Sequence, residues 1–460
     1  MLNIRTKKNI NLLLFLAFAA WASIIPNSGM LEFRNEESLR ALVSWEMFHN
    51  KNFSQTYFLG ESYFKKPPAF NWLTIAASQL TGWNELAVRL PSILAFLLTI
   101  ITTYYFSSIY FNNRKVGALS ALLVATTPEI LFFYGLIGEI DATFMFATFN
   151  AISLLLIGHH KNKSILLFIS AVFLCFSFLL KGLPAIIFYG TTLISILITD
   201  KNFRLVKNPF LQLGITSFIL VTLFWLYSTN NHSNWISVLT NESTNRVTSS
   251  FNLAQFTKHI ALFPIEGALK LLPASLIIFF VIGGFFNRQN NTKNKSAPRF
   301  LLILLGLSAL PYVISSGARL RYLLPLVPIA ASLSSYYIIT RFRKNYLKVV
   351  LTLGVSIIFL RLTFGFFGIP KMHAHNLSKS NQLAARTIIS YIDNESIIAC
   401  DCLQRKDICL YAGLATNKVI KSPSSNTDWE FKISCSDESN VSAFRELKDK
   451  NSYIQLFIRK

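Results

Sequence analysis

The chain has 460 residues, of which 52% are apolar and only 14% are charged, and its formal net charge is +22. An ordinary soluble domain carries about 25% charged residues, so this composition disfavours a soluble protein. Eleven apolar runs approach the roughly 17 to 25 residues that a membrane-spanning helix needs. They lie at 10–26, 91–111, 116–134, 140–158, 164–180, 183–199, 209–227, 261–286, 300–316, 322–340 and 347–369.

The position of the charges argues for a membrane protein and against nucleic-acid binding, which a charge of +22 would otherwise suggest. With the amino terminus inside, 18 Lys and Arg residues fall in the inside segments, where the only acid is Asp200. Short loops rich in Lys and Arg stay on the cytoplasmic side. We therefore predict a multi-pass protein of the bacterial inner membrane with residues 370–460 outside. The first run has no small-x-small cleavage site and is predicted to remain as a span.

The segment 27–90 is predicted to be a long external loop with two short helices. The first helix should run from Glu36 to about His49, and its apolar stripe could lie along the bilayer surface. The second should follow Pro67-Pro68, and its dozen or so residues are too few to span.

Two acids, Glu36 and Glu37, open the first of these helices. A carboxylate near an acceptor group can orient or deprotonate it. Two acids in a first helical turn also complement the helix dipole, and both interpretations stay open at this point.

Several charged residues gather at the predicted outer ends of the spans. Lys65 and Lys66 precede the rigid Pro67-Pro68, where an anionic ligand or a lipid headgroup would explain them. Glu139 and Asp141 begin the fourth span, and acids at such places are commonly functional.

Further cations follow along the chain on the same side. They are Lys181 after the fifth span, Arg246 four residues beyond Glu242, and Arg319, Arg321 and Tyr322 at the start of the tenth span. Arginine suits phosphate, although contact with lipid headgroups is the competing explanation. The span interiors carry almost no ionisable residues, which argues against a pump or ion carrier.

The tail, about 376–460, is predicted to be a small external α/β domain. Helices are expected at 383–392 and 441–448, and strands at 396–399, 429–434 and 453–458. Four cysteines in an exported domain suggest two disulfides, with a metal site as the rival interpretation. These cysteines are Cys400, Cys402, Cys409 and Cys435.

Taken together, these motifs resemble the bacterial GT-C glycosyltransferases. The resemblance rests on Tyr-Phe-x-Lys-Pro-Pro (63–68), Asn-Glu-Leu-Ala-Val-Arg-Leu-Pro (84–91), Glu-Ile-Asp (139–141), Leu-Lys-Gly (180–182) and Arg-Tyr-Leu-Leu-Pro (321–325). The lipid A aminoarabinose transferases, which are kin to protein O-mannosyltransferases, are the nearest in pattern. The resemblance covers roughly residues 10–370 and implies a GT-C membrane domain over residues 1–370, including a catalytic loop 27–90. The α/β domain predicted from the residue pattern follows over 376–460.

The resemblance also implies roles for individual residues. Glu36 takes the place of the catalytic aspartate, with Glu37 beside it, and Asp141 matches a second acid near the acceptor or sugar. The phosphate of the carrier lipid would contact Lys66, Arg246, Arg319, Arg321 and Tyr322. The zinc-binding positions of the aminoarabinose transferases are occupied by Lys65 and Asn241, so no metal is expected there.

The expected enzyme is an inverting transferase without a separate cofactor. It would move a sugar, an amino sugar by resemblance, from undecaprenyl phosphate to lipid A or another envelope acceptor. The alternatives are transfer to a protein, as in the O-mannosyltransferases, and a non-catalytic lipid-binding or flippase-like protein. Both the Glu-Glu pair, in place of Asp-Glu, and the missing metal ligands put aminoarabinose itself in question as the sugar.

Overall fold

Helices form most of the chain in the computed structural model. The structure describes residues 2–34, 36–200, 204–229, 231–238, 253–282, 296–341, 346–376, 380–393, 395–424, 429–435, 445–449 and 452–458. The amino-terminal half contains α1 (Leu2–Ala22), α2 (Glu36–His49), α3 (Ala69–Thr81), α4 (Glu85–Tyr110), α5 (Arg114–Ala125), α6 (Ile140–His160), α7 (Ser164–Lys181), α8 (Leu183–Asp200) and α9 (Pro209–Ser228). A two-stranded hairpin, β1 (Tyr57–Phe58) and β2 (Glu61–Ser62), lies between α2 and α3.

The helices continue to the end of the membrane body. They are α10 (Leu253–Lys270), α11 (Leu276–Ile282), α12 (Ser296–Ile314), α13 (Val327–Arg341), α14 (Tyr346–Thr363) and α15 (Ile369–Asn376). A 3₁₀ turn (Leu320–Leu326) leads into α13, and two π turns lie at Ile130–Tyr134 and Phe364–Gly368.

The prediction of a polytopic helical membrane protein is confirmed. Among the described residues, seven helices are long and apolar enough to cross a membrane. The third predicted span is a shorter helix that ends at Ala125, before Pro128. The eighth predicted span is interrupted between Lys270 and Leu276 around Pro273, because proline cannot donate a helical hydrogen bond. The total of eleven crossings therefore stays a prediction.

The α6 helix lies within the bundle and packs against α4, α7 and the 3₁₀ turn. Its apolar side chains, Phe144, Phe149 and Ile152 among them, are completely buried. This packing fixes the start of α6 beside the 3₁₀ turn. The start of α6 and the 3₁₀ turn both carry charged side chains that were singled out from the sequence.

The α2 helix begins at Glu36 as predicted, but its apolar face does not lie along the bilayer surface. Leu42 packs in a cluster with residues of the tail, while Val43 and Met47 pack against Tyr63 and Ile75 of the same loop. The interfacial placement was wrong because protein side chains, rather than lipid, cover this stripe.

The tail combines two helices, α16 (Asn381–Ile389) and α17 (Lys406–Thr416), with a four-stranded sheet of order β3-β4-β6-β5. The strands are β3 (Ile398–Cys400), β4 (Phe431–Ser434), β5 (Arg445–Asp449) and β6 (Ser452–Ile458). β3 and β4 are parallel and the other pairs are antiparallel. The prediction of a helix at 441–448 was wrong for the described residues of that range, because 445–449 is the strand β5 and pairs with β6. The α17 helix was not predicted.

The four tail cysteines form two disulfides, Cys400–Cys409 and Cys402–Cys435. The disulfide interpretation is therefore confirmed. The tail is also fixed to the long loop. Trp45 donates from its indole nitrogen to the Lys418 carbonyl at 3.0 Å, and the Ser422 amide donates to the Leu59 carbonyl at 2.7 Å. The tail and the loop 27–90 are therefore on the same side of the helical body. The domain boundary near residue 370 stays a prediction.

Candidate active site

A cavity of about 420 Å³ lies where the loop 27–90 meets the start of α6, the end of α7 and the 3₁₀ turn. Its size is typical of ligand sites. Its polar lining residues come from all of these segments. They are Glu36, Arg40, Glu61, Ser62, Tyr63, Lys65, Lys66, Glu139, Asp141, Lys181, Arg321, Tyr322 and, from the tail, Lys406.

Glu36 lies in the first turn of α2, where a negative charge is favourable. Its side chain is 43% exposed and its carboxylate contacts Arg40 at 3.4 Å. Arg40 is buried, donates to the Tyr63 hydroxyl at 3.0 Å and retains one Nη1 group without a described hydrogen-bond acceptor. The cavity therefore presents an accessible carboxylate beside a buried guanidinium.

Asp141 and Lys181 form a buried ion pair on the opposite wall. Their charged atoms, Oδ1 and Nζ, are 2.5 Å apart and both side chains are at most 6% exposed. The Lys181 ammonium also lies 4.8 Å from the ring centroid of Tyr322, which adds a cation–π contact. The predicted second acid is thus paired with the lysine that the sequence analysis placed at the same end of the bundle.

Arg321 joins this wall from the 3₁₀ turn. Its Nη1 lies 3.3 Å from the Glu139 carboxylate and 3.8 Å from that of Asp141. Burial, together with the negative charge of Asp141, raises the pKa of Glu139 to about 7, while Arg321 opposes the shift. Glu139 can therefore change its charge near neutral pH.

Glu37 does not line the cavity, which corrects its assignment as a catalytic acid. The side chain is completely buried and accepts from Arg89 Nε at 2.8 Å and Nη2 at 2.9 Å. It also accepts from the backbone amides of Gly138 at 2.7 Å and Arg34 at 3.0 Å. Because four donors occupy its oxygens, Glu37 holds the start of α2 against α4 and against the turn that carries Glu139.

The two lysines of the loop, Lys65 and Lys66, line the cavity directly before Pro67-Pro68 and α3. The preceding hairpin is held by Glu46, which accepts from the amides of Leu59 at 2.6 Å and Gly60 at 3.0 Å. Burial raises the pKa of Glu46 to about 7, although these two hydrogen bonds lower it. Glu46 therefore positions the segment that leads to the lysines.

A second cavity, of about 910 Å³, adjoins the first. The two share four lining residues, Glu36, Glu139, Arg321 and Lys406. Arg319, which was predicted near the carrier phosphate, lines the second cavity and does not line the first. Glu36 therefore faces two adjoining spaces, as a group between two substrates would.

Arg246, with Glu242 and Asn241, lies outside the described residues. Within the described ranges no group of three or more His, Cys, Asp or Glu residues could hold a metal ion. Three site residues were not predicted from the sequence, namely Arg40, Glu46 and Lys406. The spacing of Arg40 from Glu36, one helical turn, could have indicated the first.

ArnT from Cupriavidus metallidurans bound to undecaprenyl phosphate superposes with a TM-score of 0.72 at 16% identity, covering 97% of this chain and 97% of that one. The apo state of the same protein gives 0.67 at 15% identity, covering 98% of each chain. The chain has the GT-C fold. The resemblance stated from the sequence is confirmed at the level of architecture over nearly the whole chain.

The chain also has relatives in sequence. The model of the dolichyl-phosphate-mannose-protein mannosyltransferase family matches residues 65–227. A protein of Proteus mirabilis named undecaprenyl phosphate-alpha-4-amino-4-deoxy-L-arabinose arabinosyl transferase 1 is 25% identical over 206 residues, 44% of this chain and 38% of the relative. A transferase of the same name, without the number, from Photorhabdus laumondii is 23% identical over 343 residues, 73% of this chain and 61% of the relative. The chain thus covers less than two thirds of either relative.

Proposed function

We propose that this protein is an inverting glycosyltransferase that takes a sugar from a polyprenyl-phosphate carrier. The observation that carries the proposal is the first cavity. Glu36, Lys66 and Asp141, with Arg321 and Tyr322, come from widely separated segments and line this one space of about 420 Å³. The GT-C fold and the names of the relatives support the same class of reaction.

The cations of the first cavity would bind the carrier phosphate. Lys66 and Arg321 both line it, and Arg246 is proposed to join them. When the bond between the sugar and the phosphate breaks, negative charge develops on the phosphate oxygens. Positive groups fixed in advance at that place stabilise this charge in the transition state. Tyr322, beside Lys181, is positioned to orient the same group.

Glu36 would act on the acceptor. It is the accessible carboxylate shared by both cavities, so it can face an acceptor that enters from the second while the donor occupies the first. Attack from the side opposite the leaving phosphate inverts the anomeric configuration. An acceptor hydroxyl needs a base, whereas an acceptor phosphate needs little deprotonation, and Glu36 would then act electrostatically.

Asp141 has a different part in this proposal. Because it is paired with Lys181 at 2.5 Å and lies 3.8 Å from Arg321, it holds two cations in the wall of the donor site. It therefore positions the reacting groups.

We propose lipid A as the acceptor and an amino sugar as the transferred group, by analogy with the arabinosyl transferases named above. The reaction would take place on the periplasmic face of the inner membrane, with the amino terminus in the cytoplasm. The Lys and Arg bias of the short loops supports this orientation. The match to the protein mannosyltransferase model favours a protein acceptor as the second candidate.

Two substitutions test the enzyme. Glu36→Gln and Lys66→Ala should each abolish transfer of labelled sugar from undecaprenyl phosphate in proteoliposomes, while the purified proteins remain folded. Glu430→Gln, an exposed acid of the tail outside both cavities, is the matched control for Glu36→Gln and should keep full activity. Full transfer by both site variants would refute the roles of Glu36 and Lys66, whereas absence of transfer by the wild-type protein would refute the enzyme and favour a flippase-like protein.

Mass spectrometry of the cell envelope identifies the acceptor. Lipid A from a strain that carries the gene should contain a pentosamine- or hexosamine-sized increment that a deletion strain lacks. Unchanged lipid A, together with lost glycosylation of envelope proteins, would replace lipid A by the protein acceptor.

A further inference from the structure

Arg40 of α2 is a buried cation of the first cavity whose hydrogen bonds are only partly made. Its side chain is 5% exposed, and its Nη2 group donates to the Tyr63 hydroxyl at 3.0 Å and lies 3.4 Å from the Glu36 carboxylate. Its Nη1 group has no hydrogen-bond acceptor among the described residues. A buried donor without an acceptor is unfavourable, and more so when it is charged. The unpaired edge of this guanidinium therefore points to a ligand.

The guanidinium of Arg40 is held in a fixed place. Its central carbon lies 5.6 Å from the centroid of the Tyr63 ring, a cation–π contact in addition to the hydrogen bond. Tyr63 is itself buried, and its backbone amide donates to the Thr56 carbonyl at 2.9 Å across the β1–β2 hairpin. On α2, the Ser44 hydroxyl donates to the Arg40 carbonyl at 2.7 Å. A donor that is fixed before binding loses less conformational entropy when a ligand joins it.

The position of Arg40 beside Glu36 places it near the sugar rather than near the leaving phosphate. In an inverting transfer the acceptor and the phosphate lie on opposite sides of the attacked carbon, and Glu36 is proposed to act on the acceptor. A guanidinium 3.4 Å from Glu36 therefore lies away from the leaving phosphate. Arg40 lines the first cavity but not the second, from which the acceptor would enter. The sugar is the remaining part of the substrates that Arg40 can face.

The chemistry of arginine restricts which sugar substituent can lie there. A guanidinium offers only hydrogen-bond donors and stays charged in proteins. It therefore binds a hydroxyl, carbonyl or carboxylate oxygen and repels an ammonium group. A free amino group on a sugar is protonated near neutral pH, as the amines of proteins are. Acylation of that amino group removes its charge and adds a carbonyl oxygen, so the acylated form suits Arg40.

The charges of the whole first cavity favour the same choice. Six cations and four acids line it, which leaves an excess of two positive charges among the described residues. The phosphodiester of a sugar-carrying polyprenyl phosphate has a single negative charge, so the occupied cavity stays positive. Asp141 contacts Lys181 at 2.5 Å, and Glu139 contacts Arg321 at 3.3 Å. An ammonium group on the sugar would have to compete with these cations for the acids.

We propose that Arg40 selects the transferred sugar. Its Nη1 group donates to an oxygen acceptor on the sugar, and an amino group at that position enters the cavity in acylated form. The inference rests on the proposed function and deepens it, because it names a specificity-determining residue and a class of donor. The increment on the acceptor would then include the mass of an N-acyl group.

Two pairs of synthetic donors test the selection. Each pair is an undecaprenyl phosphate amino sugar with its nitrogen either free or acetylated, with glucosamine in one pair and 4-amino-4-deoxyarabinose in the other. The wild-type protein in nanodiscs should bind the acetylated member about tenfold more tightly in one pair or in both, the effect of one hydrogen bond to a charged group. Equal or tighter binding of the free amine in both pairs would overturn the inference.

Variants show whether Arg40 makes this selection. Arg40→Met keeps an apolar stem, removes the donors and should reduce the preference to less than about twofold, whereas Arg40→Lys should keep part of it. Arg386→Met, which replaces an exposed cation of the tail outside both cavities, is the matched control and should keep the full preference. A merely structural role of Arg40 would weaken both members of a pair equally, and such an unchanged ratio would contradict the proposal. So would an equal loss of affinity for undecaprenyl phosphate without a sugar, which would place Arg40 on the carrier phosphate.

Binding and transfer together separate this inference from the proposed function. Equally efficient transfer of the free and acetylated sugars by the wild-type protein would refute the selection and leave the transferase standing. Preferential binding of the acetylated donor without transfer of either sugar would refute the transferase and leave the selection standing.

Discussion

The adjacent acids Glu36 and Glu37 should respond in opposite ways to the same substitution. Glu37→Gln removes the counter-ion of the buried Arg89, and a single amide oxygen cannot serve the four donors that now reach the carboxylate. Breaking a buried ion pair from one side costs about 3–5 kcal/mol. Glu36→Gln removes one contact of 3.4 Å from a side chain that is 43% exposed, which should cost at most about 1 kcal/mol.

The assay for this pair is chemical unfolding in mixed micelles followed by tryptophan fluorescence, with sugar transfer measured on the same preparations. Glu37→Gln should lower the free energy of unfolding by several kcal/mol, and Glu36→Gln should abolish transfer at nearly wild-type stability. A double-mutant cycle with Arg89→Gln should give a coupling of about 0.5–3 kcal/mol. If Glu37→Gln unfolds like wild type yet is inactive, Glu37 takes part in the chemistry and our correction fails.

Two further predictions concern Glu139 and the Asp141–Lys181 ion pair, on the wall of the first cavity opposite Glu36. Because burial places the pKa of Glu139 near 7, protonation below that pH should release Arg321, so kcat/KM should fall as the pH drops below about 7. Glu139→Gln should abolish this acid limb, and a profile identical to wild type would exclude Glu139 as its source. Lys181→Met should lower stability by about 3–5 kcal/mol by leaving Asp141 without its 2.5 Å partner. Lys181→Met combined with Asp141→Leu should recover stability but not transfer, and recovery of both would show that the pair has only a structural role.

The helical body could be predicted from the sequence because apolar run length and the Lys/Arg bias are local signals that depend on the bilayer alone. The starts of α2 and α3 could also be predicted from local signals. The α2 helix begins with the acid pair Glu36-Glu37, and α3 follows Pro67-Pro68. The convergence of Glu36, Lys66 and Asp141 on one cavity was also expected, because all three were assigned to one face of the membrane.

What could not be predicted depends on partners far away in the chain. Glu37 and Glu36 are chemically identical and adjacent, and only Arg89, 52 residues further on, distinguishes them. Likewise, the apolar stripe of α2 has the same pattern whether lipid or protein covers it. The segment 445–449 has a charged, helix-favouring composition, but pairing with β6 overrides that preference.

The contact between α2 and the tail has a consequence for the order of synthesis. Trp45 and Leu42 leave the ribosome about 350 residues before Ile398 and Ile408, which pack in the same cluster. At about 5–20 residues per second, the interval is on the order of tens of seconds. For that time Leu42 and Trp45, on the side of α2 that the tail later covers, lack their partners from the tail. A nascent chain stalled before the tail should therefore bind chaperones or the membrane surface through this helix. The cavity can take its final form only after the tail is made.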